Sequence, residues 1–113
     1  MRVLITGGLG FVGGRLGSYL SDSGFDVILG TRKKKDKSLE KLKLPPVSVL
    51  QMEWDKISSL KSACEGVDII VHAAGMNAAD CTSNSTEALK VNGLATANLL
   101  DSAISSGVER FLY

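Results

Sequence analysis

The chain has 113 residues, 44% hydrophobic and 22% charged, which suits one folded domain of ordinary globular composition. Its net charge of +1 gives no electrostatic case for nucleic-acid or membrane-surface binding, and no apolar run is long enough to cross a bilayer. Its two cysteines have neither the spacing of metal ligands nor that of a redox pair. We therefore expect no metal site and no disulfide, and we expect a cytoplasmic location.

Strands and helices are predicted in alternation over the first third of the chain. Residues 3–6 are a short apolar run that predicts a buried strand. Residues 11–23 predict an amphipathic helix, which Gly24 ends. The apolar positions of this helix recur at helical spacing and are Val12, Leu16, Tyr19 and Leu20. Residues 27–29 predict the second strand.

The alternation continues to the end of the sequence. Residues 33–44 are polar and predict a loop with at most a short helix. Strands are then predicted at 47–52, 68–72 and 110–113, with a short helix at 57–64. The longest helix is predicted to begin at Asn84, with Glu87 at capping-box spacing, and to end at Gly107. Its predicted buried face comprises Ala88, Leu89, Asn92, Ala95, Leu99, Leu100, Ala103 and Ile104.

This alternation predicts an α/β fold of Rossmann type. Strands joined by helices form a parallel sheet with right-handed crossovers, and the predicted sheet order is 3-2-1-4-5, with helices on its faces. Residues 1–113 are expected to form a single domain that stops after strand five. Strand five would then be a sheet edge, so self-association into a homo-oligomer is expected.

Three glycines separate the first strand from the first helix. Gly7, Gly10 and Gly13 form G-x-x-G-x-x-G, in which the first allows a tight turn, the second admits a diphosphate, and the third permits close helix packing. The first N–H groups of the helix would hold that diphosphate. A P-loop would need Gly-Lys-Ser/Thr here, and the sequence has Gly13-Gly14-Arg15 instead. The turn therefore predicts dinucleotide binding.

Three blocks of this sequence resemble the extended short-chain dehydrogenases/reductases, the NAD-dependent epimerase/dehydratase family. Residues 6–13, TGGLGFVG, resemble the family's TGGxGFxG fingerprint. Residues 66–75, GVDIIVHAAG, are similar to its fourth-strand block GVDxVxHxAA. Residues 91–113 resemble VNxxGTxNLLxAAxxxGVxRFVY. The three blocks follow the family's order and spacing over nearly the whole chain.

The resemblance implies a set of cofactor-binding positions. It places Gly7, Gly10, Phe11 and Val12 at the diphosphate, and Ala73 and Ala74 at the wall beside the adenosine ribose. An acidic residue after strand three would receive the adenine amino group, and either Glu53 or Asp55 can fill that role. The resemblance also implies a structural role for His72 and for Asn92, whose side chain would bond to the backbone of a neighbouring strand.

The end of strand two bears on which cofactor is bound. NAD-binding relatives place Asp or Glu there, on the ribose 2′-hydroxyl. This sequence has Thr31, followed at once by Arg32. Thr31 would not repel a 2′-phosphate, and Arg32 could form paired hydrogen bonds with one. NADP is therefore predicted in preference to NAD.

The family's catalytic residues have no counterpart in these 113 residues. The resemblance places a Ser/Thr and a Tyr-x-x-x-Lys after strand five, and Tyr113 matches an aromatic strand position. We therefore expect the N-terminal part of a longer enzyme, a sugar-nucleotide epimerase, dehydratase or reductase, with the substrate domain absent and no catalytic residue here. Its small-molecule substrate would bind only to the full-length protein. The alternative is a non-catalytic NAD(P)H-sensing module.

The run from Arg32 to Lys35 lacks interleaved aromatic residues, so nucleic acid is not expected as a partner.

Overall fold

The computed structural model describes residues 1–34 and 46–113. Within these ranges five parallel strands form one sheet in the order β3-β2-β1-β4-β5. The strands are β1 Arg2–Thr6, β2 Asp26–Thr31, β3 Ser48–Gln51, β4 Ile69–His72 and β5 Arg110–Leu112. The predicted α/β fold and sheet order are confirmed. Most of the predicted polar loop at 33–44 lies outside the described residues.

The helices lie on both faces of this sheet. They are α1 Phe11–Asp22, α2 Ile57–Cys64, α3 Ala78–Ser83, α4 Ser85–Ala88 and α5 Ala95–Ser105, with a π-helical segment at Leu89–Leu94. None of the helices in the described ranges has the length and apolarity needed to cross a membrane.

Two apolar clusters hold the helices to the sheet. On one face, Leu4 and Ile70 of the central strands pack with α2 and α5 through Leu60, Cys64 and Leu99. On the other face, the buried side chains belong to β1 and β2, and α1 covers them with Leu16 and Leu20. The second group comprises Val3, Ile5, Val27 and Leu29. This packing on both faces fixes the carboxyl ends of the strands, from which the loops of the candidate site extend.

Two of the four apolar positions that recur at helical spacing in α1 do not face the sheet. Val12 and Tyr19 are 64% and 69% exposed, and the buried positions of the helix include Gly13 and Gly17. A β-carbon on Gly17 would lie 2.7 Å from Leu29 Cδ2. The side of α1 that touches the sheet is therefore made partly of glycines, so the apolar side chains of the helix do not mark it.

The long helix predicted from Asn84 is present, since helical backbone runs from Ser85 to Ser105, but its middle turn at Leu89–Leu94 is π-helical. Asn84 does cap a helix, since its side chain accepts a hydrogen bond from Glu87 N at 3.1 Å. The short helix α3 precedes it, and the π-helical segment then widens the backbone spiral. Residues before and after this segment therefore do not share a face. Leu89, on the π-helical segment, is exposed. Within α5, Ala95, Leu99 and Ala103 are buried, whereas Leu100 and Ile104 lie about 100° further around the helix and are exposed.

Candidate functional site

A cavity of about 1000 Å³ lies at the carboxyl ends of the first four strands. This is the edge at which open parallel sheets bind ligands, beside the point where the strand order reverses between β1 and β4. Seven of the nine predicted site residues line the cavity: Gly7, Gly10, Thr31, Arg32, Glu53, Ala73 and Ala74. Phe11 and Val12, the other two, lie on the first turn of α1 with exposed side chains and are not among its lining residues.

The glycine turn is shaped by close backbone contacts. Gly7 has φ +67°, and a β-carbon there would lie 2.9 Å from Ala74 N. Gly10 N donates to Gly7 O at 2.9 Å, and Gly10 occupies the N-cap position of α1. A β-carbon on Gly13 would lie 2.9 Å from Gly8 Cα, so the helix starts directly against the turn. The first amides of α1 have no partner within the helix and carry partial positive charge.

The end of β2 presents cationic side chains to the same cavity. Thr31 is buried, and its Oγ1 accepts from Lys33 N at 3.1 Å, which turns the chain at this point. Arg32 and Lys33 are exposed and line the cavity. Within the described ranges neither forms a salt bridge. This corner therefore offers positive charge to an anion and has no strand-end carboxylate that would repel one.

Two acidic residues and a tryptophan follow β3. Glu53 and Asp55 both line the cavity, so its geometry leaves the choice between them open. Glu53 Oε1 lies 2.9 Å from Lys56 Nζ, and this hydrogen bond raises the pKa of Lys56. Trp54 lies between the two acids and lines the same cavity. The sequence reasoning missed Trp54, although its place beside Glu53 in a sequence with a single tryptophan was a usable signal.

His72 stands at the end of β4 between two threonines. Its Nδ1 is 2.6 Å from Thr6 Oγ1, and its Nε2 is 2.9 Å from Thr96 Oγ1. The ring packs against Trp54, Phe111 and Tyr113 with centroid separations of 5.6, 5.9 and 5.7 Å. Burial lowers the pKa of this imidazole from 6.5. His72 is thus held neutral within the site wall.

The loop after β4 forms the wall directly beside the glycine turn. Ala74 N donates to Thr6 Oγ1 at 3.2 Å. Asn92 Oδ1 accepts from Met76 N at 2.8 Å, and its Nδ2 donates to Met76 O at 3.2 Å. Asn92 therefore does bond to backbone as predicted, but its partner Met76 lies in the loop after β4 and not in the strand. The π-helical segment carries Asn92 to this position.

The described residues hold no group of three His, Cys, Asp or Glu placed to bind a metal ion. Cys64 is buried, and burial raises the pKa of its thiol to about 11. The arrangement is suited to binding an elongated anion, with helix amides at one end and cations beside them.

Comparison with known proteins agrees with this geometry. The family model described as the NAD dependent epimerase/dehydratase family matches residues 3–113. A 3 beta-hydroxysteroid dehydrogenase/Delta 5-->4-isomerase from Mycobacterium tuberculosis is 35% identical over 99% of this chain and 30% of its own length. Short-chain dehydrogenase/reductase family 42E member 1 from Xenopus laevis is 32% identical over 98% of this chain and 28% of its own.

A solved structure shares the fold over nearly the whole chain. The dTDP-glucose 4,6-dehydratase DesIV from Streptomyces venezuelae, with NAD bound, matches with a TM-score of 0.80. It is 26% identical over 98% of this chain and 38% of its own length. This chain therefore spans about a third of the length of these relatives. From the family match and the shared fold, the chain belongs to the NAD-dependent epimerase/dehydratase family.

Proposed function

We propose that this chain binds NADP(H), in preference to NAD(H), as the cofactor-binding part of a longer enzyme that oxidises a carbinol or reduces the corresponding ketone. The observation that carries the proposal is the pairing of the glycine turn with Thr31 and Arg32 on one cavity. The turn supplies amides for a diphosphate, and the end of β2 supplies cations for a 2′-phosphate.

The residues of the cavity fit the parts of a dinucleotide in order. The diphosphate would lie over Gly7 and Gly10, bound by the backbone amides at Phe11 and Val12. The adenosine ribose would lie between Ala74 and Thr31, which come from the ends of β4 and β2, the two strands on either side of β1. The adenine would then lie near the loop after β3, where Glu53 and Asp55 offer acceptors for its amino group.

The preference for NADP(H) follows from charge at the end of β2. A charge-assisted hydrogen bond contributes about 1.5–3 kcal/mol, so Arg32 would favour the phosphorylated cofactor by about 10- to 150-fold. Lys33 adds a second positive charge within the same cavity. Thr31 is neutral and already accepts a hydrogen bond from Lys33 N.

The substrate of the longer enzyme is proposed as a nucleotide sugar or a similar carbinol. The names of its relatives refer to dTDP-glucose and to a hydroxysteroid, and both compounds carry hydroxyl groups. When bound, the nicotinamide supplies hydride exchange at such a carbon. A non-catalytic NAD(P)H sensor would have the same cavity. Product formation by the longer protein from NADPH and candidate ketone substrates would distinguish the enzyme from the sensor.

Calorimetric titration with NADPH and NADH tests the cofactor assignment. The expected result is about 10-fold or more tighter binding of NADPH, with most of the difference lost in Arg32→Ala. Arg110→Ala, at the amino end of β5 and outside the cavity lining, is the matched control and should retain the preference. Equal affinity for the two cofactors in the unaltered chain would contradict the assignment of Arg32. Absence of binding for both would contradict the function itself.

A further inference from the structure

We propose that His72 is a positioning residue, whose neutral ring orients the Thr6 hydroxyl so that the Thr6 oxygen accepts from the Ala74 amide and fixes the wall of the cavity. His72 is itself one of the residues that line the cavity, and it is largely buried. The effect of this wall on cofactor binding rests on the proposed function. The hydrogen bonds among Thr6, His72 and Ala74 are independent of that function.

The side chain of Thr6 is fully buried. Its oxygen accepts from Ala74 N at 3.2 Å and lies 2.6 Å from His72 Nδ1. The hydrogen bonds of the described residues give its hydroxyl hydrogen no acceptor other than Nδ1. A hydroxyl has one hydrogen to donate, so the Thr6 hydroxyl donates to His72, and Nδ1 carries no proton.

The tautomer of His72 follows from this assignment. If Nδ1 accepts, a neutral ring carries its proton on Nε2. Nε2 lies 2.9 Å from Thr96 Oγ1, which then accepts from it. A directed series of hydrogen bonds therefore runs from Thr6 through His72 to α5, and it joins two strand ends to a helix.

Protonation of the ring would reverse the bond at Nδ1. The protonated ring donates at both nitrogens, so Nδ1 would compete with the Ala74 amide for the Thr6 oxygen, and the Thr6 hydrogen would lose its acceptor. The aromatic neighbours are Trp54, Phe111 and Tyr113, of which only Tyr113 is titratable. Among the hydrogen bonds and salt bridges of residues 1–34 and 46–113, none joins His72 to a charged residue of the cavity. Those charged residues are Arg32, Lys33, Glu53, Asp55, Glu87 and Lys90.

Nitrogen-15 NMR tests the tautomer directly, because the sequence contains a single histidine. The expected spectrum at neutral pH shows a protonated Nε2 and an unprotonated Nδ1. Thr96→Val should weaken this preference and shift the Ala74 amide resonance, whereas Thr96→Ser should preserve both. Thr82→Val is the matched control, since the Thr82 hydroxyl bonds only within α3. A ring protonated on Nδ1 would overturn the proposal whether or not a dinucleotide binds.

The affinity for NADH as a function of pH tests the consequence at the cavity. NADH is chosen because it has no 2′-phosphate to titrate. As the pH is lowered from neutral until the nitrogen-15 signals show that His72 is protonated, the affinity of the unaltered chain should fall by about 2- to 12-fold. His72→Asn keeps an acceptor for Thr6 and should bind with little pH dependence, whereas His72→Phe should bind weakly throughout. Identical pH profiles for the unaltered chain and His72→Asn would overturn the proposal. If neither cofactor binds at neutral pH, the proposed function fails, and the tautomer and the Ala74 resonance still decide the role of His72.

Discussion

Replacing Gly10 by valine should abolish dinucleotide binding while leaving the fold intact. Gly10 has φ −80° and ψ 177°, a conformation open to any residue. A β-carbon at this position meets only Gly7 O, at 3.1 Å. The loss of free energy of unfolding should therefore stay near 1 kcal/mol, about the cost of a poorer helix N-cap.

The effect on binding should be much larger than the effect on stability. The added side chain would occupy the space from which a diphosphate reaches the first amides of α1. Losing two charge-assisted hydrogen bonds, at about 1.5–3 kcal/mol each, corresponds to a loss of affinity on the order of 100-fold or more. Calorimetry with NADPH measures the affinity, and urea unfolding measures the stability.

Gly14→Ala is the matched control for this substitution. Its β-carbon would lie 3.4 Å from Gly8 O, an ordinary contact. Alanine in a helix is favoured over glycine by about 0.8–1.0 kcal/mol, so this variant should be slightly more stable and bind NADPH unchanged. If folded Gly10→Val bound NADPH about as tightly as the unaltered chain, the diphosphate would not lie at this turn.

Three further outcomes are expected. Burial lowers the pKa of His72 below 6.5, so the unfolded chain takes up this proton at a higher pH than the folded chain. The free energy of unfolding should therefore decrease as the pH falls below about 6.5 toward the pKa of the folded state. Urea unfolding should show a smaller decrease in His72→Asn, and an equal decrease would exclude His72 as the cause. Burial raises the pKa of Cys64 to about 11, so a thiol reagent at neutral pH should modify only Cys81 in the folded chain. After unfolding, it should modify both cysteines. Rapid modification of Cys64 in the folded chain would contradict its burial. Exposed apolar side chains, among them Tyr19, Leu94 and Ile104, together with the edge strand β5, should cause concentration-dependent self-association. Sedimentation of a stable monomer at high concentration would argue against it.

The fold could be predicted because its signals are local. Each strand is a short apolar run, and the order of strands and helices restricts the topology to a few choices. The turn at Gly7 could be predicted for the same reason, since its positive φ is a conformation that glycine readily adopts. The cavity at the strand ends follows once the sheet order is known.

The errors arose where contacts between distant residues decide the structure. The inner face of α1 depends on Gly17 lying against Leu29, and glycine gives no apolar signal. The π-helical segment within the long helix accompanies the bonds of Asn92 to Met76, which are 16 positions apart in sequence. The partners of His72 come from β1 and α5, so its hydrogen-bond arrangement could not be read from the residues around it.

The central claim, that the cavity holds a dinucleotide, is tested most directly by the fluorescence of Trp54. Trp54 is the single tryptophan of the sequence and lines the cavity. Its emission overlaps the absorption of reduced nicotinamide, so bound NADPH should quench it and emit in turn. The account predicts saturable quenching by NADPH, reversal by excess NADP⁺, and little quenching in Gly10→Val at the same concentration. Tryptophan emission that stays unchanged at millimolar NADPH would contradict it.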